Sequence, residues 1–130
     1  YYFIRLMLVL MFAGIFFFTF LATMGYKLNI MYFMVSFLSI FFIITGIFMP
    51  KIKRNYFVGI KTPWTLQSDE VWVKTHKFAG KTMIVGGALA FFTIFLPSAT
   101  AFWIFLMIVL ISALLPMVYS YLLFRKLFKK

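Results

Sequence analysis

The chain is a succession of long apolar runs separated by short basic stretches. No charged residue occurs in 6–26 or in 28–49, and a third uncharged run lies between Lys81 and Arg125. A helix needs about 20 apolar residues to cross a hydrocarbon core of about 30 Å, and each of these runs is long enough. The runs are continuously apolar rather than alternating, which excludes the strands of a transmembrane β-barrel. The pattern therefore predicts transmembrane helices.

The third uncharged run is long enough for two crossings, and turn-forming residues divide it. The stretch LPSAT, residues 96–100, places Pro97 among small polar residues, a combination typical of a tight turn. We therefore predict one membrane domain over residues 1–130, an all-α integral membrane protein with four transmembrane helices. These are predicted at 6–26, 28–49, 78–96 and 101–123.

The segment 50–77 is the only long polar part of the chain, and it is predicted to form a helical element at the membrane interface. Thr62 can cap a helix, and Pro63 suits the first helical position because its missing N–H would be unpaired there. A second helix start lies at Ser68, which is followed by the only two acids. The segment lacks low-complexity character, so we expect an ordered element against the cytoplasmic leaflet rather than a flexible linker.

Composition and charge support the membrane interpretation. The chain is 65% apolar with a mean hydropathy of +1.07. Its 13 Lys and Arg residues against two acids give a formal net charge of +11. Because the basic residues flank apolar runs, anionic lipids are expected as partners rather than nucleic acid. The positive-inside rule places 50–77, the Arg5 end and the C-terminal tail in the cytoplasm. The chain begins at Tyr1, so residues upstream are expected to be missing.

The residues that could carry chemistry are few. There is no cysteine, and one histidine with two adjacent acids is a poor metal site, so no metal or cofactor is expected. Ser68, Asp69 and His76 include the residue types of a catalytic triad, but within one short segment they rarely reach the required geometry. Glu70 is spaced to pair with Lys74 four residues later. The chain is therefore not expected to be an enzyme.

The segment 50–80 carries a further pattern. The stretch PKIKRNYFVGIKTPWTLQSDEVWVKTHKFAG resembles the signature of the SdpI-like family, membrane immunity proteins against a sporulation-delaying peptide toxin. Lys61 and Lys77 stand where that family usually has arginine, which keeps the charge but loses bidentate pairing. The binding and motif residues that the resemblance implies are Asn55, Gly59, Lys61, Thr62, Pro63, Trp64, Thr65, Glu70, Trp72, Thr75, His76, Lys77 and Gly80.

The two tryptophans of the motif leave a question open. Trp64 and Trp72 are suited to headgroup depth, because an indole has an apolar ring and a polar N–H. Trp72 and His76 lie one helical turn apart, so they share one face of a helix. From the sequence, these two side chains can turn either into the bundle or toward the cytosol, and a structural and a recognition role are both compatible with them.

The resemblance implies a protein of the bacterial plasma membrane that binds or neutralises a secreted antimicrobial peptide toxin. It also implies, as a second hypothesis, that a cytoplasmic transcriptional repressor is recruited to the membrane. A small transporter or channel subunit is a further alternative. It is disfavoured because no acid occurs in any predicted span, and coupled transport needs an ionisable group at depth. A hydrolase using His76 is the last alternative.

Overall fold

The computed structural model describes residues 2–27, 29–56 and 58–128, and this part of the chain is helical throughout apart from turns and loops. Leu28, with which the second predicted span begins, and the tail residues Lys129 and Lys130 lie outside the described residues. In chain order the helices are α1 (Tyr2–Thr23), α2 (Ile30–Phe48), α3 (Pro63–Gln67), α4 (Asp69–Phe91) and α5 (Ser98–Phe128). Short 3₁₀ turns, Met49–Lys51 and Phe92–Phe95, extend α2 and α4.

The four long helices are each long and apolar enough to cross a membrane. The candidate spans are Tyr2–Thr23, Ile30–Lys51, Asp69–Phe95 and Ser98–Phe128, and the short α3 lies between the second and the third. This confirms the predicted all-α membrane architecture. The third span has 27 residues. At 1.5 Å per residue it is about 40 Å long, more than a hydrocarbon core of about 30 Å needs, so it is long enough to extend into the headgroup region.

Helix ends follow local chemistry. The Asn29 side chain caps α2 by accepting a hydrogen bond from the Met31 N–H at 3.0 Å. Helix α5 begins at Ser98, directly after Pro97, and the Ala101 N–H donates to the Pro97 carbonyl at 2.8 Å. The helix therefore starts three residues before the predicted span at 101, because proline stops the preceding segment and leaves its own carbonyl free to accept from the next helix.

Helix α4 lies between α2 and α5, and small residues let the backbones approach closely. A Cβ built on Gly80 would lie 2.7 Å from the Gly46 carbonyl oxygen of α2. On the other side of α4, a Cβ on Gly86 would overlap the Ser112 hydroxyl of α5. Lipid tails are as apolar as leucine, so close packing of small residues is what holds helices together in a membrane. Helices α2, α4 and α5 therefore form the compact part of the bundle.

Helix α1 packs at the edge of this bundle through aromatic rings. Phe18 lies 4.5 Å from Phe33 of α2, and Phe3 lies 4.6 Å from Phe48, measured between ring centroids. Met7 is the buried residue of α1, and most of the other apolar side chains of this helix are exposed. These exposed side chains face lipid in a membrane-spanning helix. The antiparallel arrangement brings the start of α1 beside the end of α2.

Candidate functional site

The polar segment that follows α2 and includes the first turns of α4 forms what we call the motif platform, the described residues of 50–77. The chain leaves α2 through the 3₁₀ turn, crosses a loop, forms the single-turn helix α3 and enters α4 at Ser68. The side chains of the platform divide into an inward set, which is buried against the helices, and an outward set, which is exposed.

Trp72 and His76 form the centre of the inward set. Their side chains turn into the bundle, with 1% and 0% of their surface exposed. The two rings stack with centroids 4.1 Å apart and planes 21° apart. The indole Nε1–H of Trp72 donates to the Ile52 carbonyl at 2.9 Å, across 20 residues of chain. The first turns of α4 are thereby tied to the loop that follows α2.

Both ring nitrogens of His76 bond to backbone groups. The Ile60 N–H lies 3.1 Å from Nε2, and Nδ1 lies 2.8 Å from the Trp72 carbonyl oxygen. A backbone N–H can only donate, so Nε2 is the acceptor and the proton is on Nδ1, which assigns a neutral ring. Neither nitrogen is left for Ser68 or Asp69. In this arrangement His76 therefore links the loop to α4 by hydrogen bonds, and the geometry of a catalytic triad is not formed.

Gly59 makes the close contact of the loop with these rings possible. Its φ is +119°, a conformation that side-chain-bearing residues rarely adopt. A Cβ built there would lie 2.6 Å from His76 Nε2 and 2.9 Å from Trp72 Cη2. Glycine thus suits position 59 for two reasons: it adopts the positive φ, and it leaves room for the rings of His76 and Trp72.

Threonines join α3 to the rest of the bundle. Thr62 and Thr65 form a reciprocal cap, in which the Thr65 N–H bonds to Thr62 Oγ1 at 3.2 Å and the Thr62 N–H bonds to Thr65 Oγ1 at 2.9 Å. Pro63 occupies the first turn, as predicted from the sequence. Thr62 Oγ1 also lies 3.1 Å from Ser120 Oγ of α5, and both residues are buried. The platform therefore has a polar contact with α5.

Two further motif residues lie beside this contact. Trp64 of α3 packs edge-on against Tyr121 of α5, with ring centroids 5.0 Å apart, and remains half-buried. Thr75 is fully buried on α4, and its hydroxyl has no hydrogen-bond partner within the part of the chain that the structure describes. Gly80, the last motif residue, lies at the close crossing with α2.

The outward set includes the charged side chains of the platform, together with uncharged exposed residues such as Tyr56 and Val73. Glu70 pairs with Lys74 at 2.6 Å, as the four-residue spacing predicts, and about half of each side chain is exposed. Arg54 Nε lies 2.9 Å from Asp69 Oδ1, an ion pair over 15 positions that no local pattern indicates. Lys77 is exposed.

The loop before α3 is shaped by an asparagine turn. The side-chain oxygen Oδ1 of Asn55 accepts from the Val58 N–H at 2.7 Å, and its side-chain amide Nδ2 donates to the Lys53 backbone carbonyl at 2.7 Å. The Lys61 ammonium donates to the Tyr56 carbonyl at 3.2 Å, and Lys61 is an exposed residue. Over residues 2–27, 29–56 and 58–128, no three or more His, Cys, Asp or Glu side chains converge as a metal site would require.

The sequence pattern of these elements matches a known family. The family model described as the SdpI/YfhL protein family matches residues 51–120, which include most of the platform, all of α4 and most of α5. The chain belongs to the SdpI/YfhL family. Within the SdpI/YfhL family, the immunity protein SdpI of Bacillus subtilis (strain 168) is 31% identical over 109 residues, 84% of this chain and 53% of that protein. The chain thus spans about half the length of the curated relative. No solved structure matches it.

Sequence reasoning did not identify the groups that the buried motif residues contact. Ile52 and Ile60 contribute backbone groups, which have no sequence signature. Ser120 is one of several small polar residues in an apolar helix, and its usual role is helix packing. Only its position late in α5, where that helix passes α3, brings it to Thr62.

Proposed function

We propose that this chain is a membrane immunity protein, which binds or neutralises a secreted antimicrobial peptide toxin without covalent chemistry. The observation that carries the proposal is the extent of the family match: residues 51–120 include most of the motif platform, all of α4 and most of α5. A relative that shares 31% identity over 109 residues is named an immunity protein. The hydrogen bonds of both His76 nitrogens to backbone groups favour a binding protein over a hydrolase.

The proposed location is the bacterial plasma membrane, with the platform and both termini in the cytoplasm. The platform carries six basic residues against two acids, which favours the cytoplasmic side. On the opposite side, the loop between α1 and α2 contains Lys27 alone, and the turn before α5 contains no basic residue. A toxin that attacks the membrane from outside would then meet the helices first and the platform last.

A second proposed activity is signalling to a cytoplasmic partner, a transcriptional repressor in the hypothesis that the family resemblance raised. The hydrogen bonds from Trp72 to Ile52 and from Ile60 to His76 join the loop of the platform to α4, and the contact between Thr62 and Ser120 joins the platform to α5. A change in helix packing on toxin binding would therefore move the platform as well. The exposed lysines Lys61 and Lys77 are the groups that we propose contact the partner.

Survival of toxin-sensitive cells tests the immunity proposal. Cells that express the chain are expected to survive the toxin, and Trp64→Ala is expected to lose protection because it removes the contact of α3 with Tyr121. Trp103→Ala is the matched control, since that indole is 63% exposed on α5. Membrane abundance of each variant is measured in parallel. Unchanged survival with the parent, or full protection by Trp64→Ala at equal abundance, would contradict the proposal.

Recruitment of a cytosolic protein tests the signalling proposal separately. The parent is expected to retain the repressor on membranes in a toxin-dependent manner, and the double variant Lys61→Glu/Lys77→Glu is expected to lose it. If the double variant retains the repressor as well as the parent does, the outward lysines are not its binding surface.

A further inference from the structure

A cavity opens where the start of α1, the end of α2 and the loop of the platform meet. Its volume is about 370 Å³. Phe3, Ile4 and Phe48 line its apolar part, which we call the floor, and three basic side chains also line the cavity. The basic residues on the cavity are Lys51, Lys53 and Arg54.

The three cations leave this cavity with excess positive charge. The chain has two acidic side chains: Glu70 pairs with Lys74, and Asp69 pairs with Arg54 at 2.9 Å. Within residues 2–27, 29–56 and 58–128, no acidic side chain therefore remains to neutralise Lys51 and Lys53. The Lys51 ammonium lies 5.1 Å from the centre of the Phe48 ring, directly above the apolar floor.

Arg54 is held in place at the cavity without being saturated. Its Nε bonds to Asp69, and one terminal nitrogen donates to the Leu66 carbonyl at 3.2 Å. A guanidinium has five N–H groups in a rigid plane, so three remain available after these two contacts. The two bonds orient the side chain, and the remaining N–H groups suit a phosphate oxygen.

The combination of groups selects an amphiphile. The apolar floor belongs to the ends of two membrane-spanning helices, and the cations belong to the polar segment that follows α2. A ligand that uses both must place an anionic group at the membrane boundary and hydrocarbon below it. Basic pockets beside transmembrane helices bind anionic lipid headgroups for this reason. Free phosphate has no hydrocarbon part that could contact the apolar floor, so the floor would not strengthen its binding.

We propose that this cavity binds one anionic phospholipid, with its headgroup phosphate among Lys51, Lys53 and Arg54 and one acyl chain against Phe3, Ile4 and Phe48. The site is separate from the proposed immunity function, and either can fail without the other. A zwitterionic lipid presents the same phosphate but adds a cation, which the basic residues disfavour. The site is therefore selective for net negative headgroups.

Lipid retention by the purified full chain tests the proposal. Native mass spectrometry compares phosphatidylglycerol with phosphatidylcholine of the same acyl chains. The parent is expected to retain one phosphatidylglycerol with about tenfold preference, and Lys51→Gln/Lys53→Gln is expected to abolish that preference. The matched control Lys81→Gln/Lys126→Gln removes two exposed charges outside the cavity and is expected to keep it. Thermal unfolding confirms that the variants are folded.

A third variant tests the acyl part of the site. Ile4→Ser keeps every charge and is expected to weaken retention several-fold. Equal loss in both lysine double variants, or no headgroup preference in the parent, would overturn the proposal in favour of diffuse charge attraction. Unchanged retention by Ile4→Ser, or displacement of the lipid by an equal concentration of glycerol phosphate, would overturn it in favour of a simple phosphate site.

Discussion

The motif platform and helix α1 differ in regularity and in burial, and the less regular of the two is the more buried. Helix α1 is a regular apolar helix of 22 residues, yet Met7 is its buried residue. The platform is irregular and polar, yet it holds several of the largest fully buried side chains, including Trp72, His76 and Thr65. In lipid, apolar side chains lose little by facing outward, whereas unpaired polar groups are costly. Polar residues, most of them with hydrogen-bond partners, therefore share the interior with small apolar residues here.

The comparison predicts which substitutions matter. A residue of the platform should be costly to change where it has a buried partner, and a residue of similar type that faces lipid or water should not. Matched pairs within the chain allow each case to be measured against its own control.

The largest effect is expected at Gly59. Gly59→Ala places a side chain at φ +119° and against His76 and Trp72, so we expect a loss of about 3 kcal/mol in the free energy of unfolding. Gly25 also has positive φ, +89°, but a Cβ there meets nothing within 4 Å. Gly25→Ala is therefore expected to cost only about 1 kcal/mol. Unfolding in mixed micelles measures both, and equal losses would contradict the packing account.

A smaller effect is expected for Trp72→Phe. This change keeps an aromatic ring but removes the N–H that donates to the Ile52 carbonyl, so we expect a loss of about 1 to 2 kcal/mol. The control is Trp103→Phe on the exposed face of α5, for which we expect a change of less than about 0.5 kcal/mol. Unfolding in mixed micelles again measures the free energy of unfolding of both variants. If the two substitutions lower the free energy of unfolding equally, the hydrogen bond of Trp72 to the Ile52 carbonyl does not stabilise the contact of the loop with α4.

The smallest effect is expected for Glu70→Gln. The pair with Lys74 is half-exposed, and solvent screens such pairs, so no measurable change in thermal midpoint is expected. Survival in the presence of toxin should also match the parent. A loss of protection at normal abundance would instead assign Glu70 to recognition of a partner.

The sequence predicts this fold well because lipid imposes a simple rule on the chain. Uncharged runs indicate spans, and Thr62–Pro63 indicates the start of α3, which the structure places there. The four-residue spacing likewise indicates the contact of Glu70 with Lys74. These features depend on neighbours in sequence.

The inward contacts of the platform depend instead on tertiary packing. No local sequence pattern indicates that the Trp72 indole donates to the Ile52 carbonyl, or that Arg54 pairs with Asp69. Their partners lie 15 to 20 residues away and become neighbours only once α4 packs against the end of α2. For Trp72 and His76, therefore, the motif could be recognised in the sequence while the direction of the side chains could not.

Amide hydrogen exchange at Ile60 tests the central claim, that the platform is bonded into the bundle rather than lying loosely on it. The Ile60 N–H is in a loop, and its bond to His76 Nε2 is what protects it. We predict that it exchanges about as slowly as the Trp72 amide inside α4, and that His76→Ala removes this protection. Exchange at the rate of an unprotected loop amide in the parent protein would contradict the account.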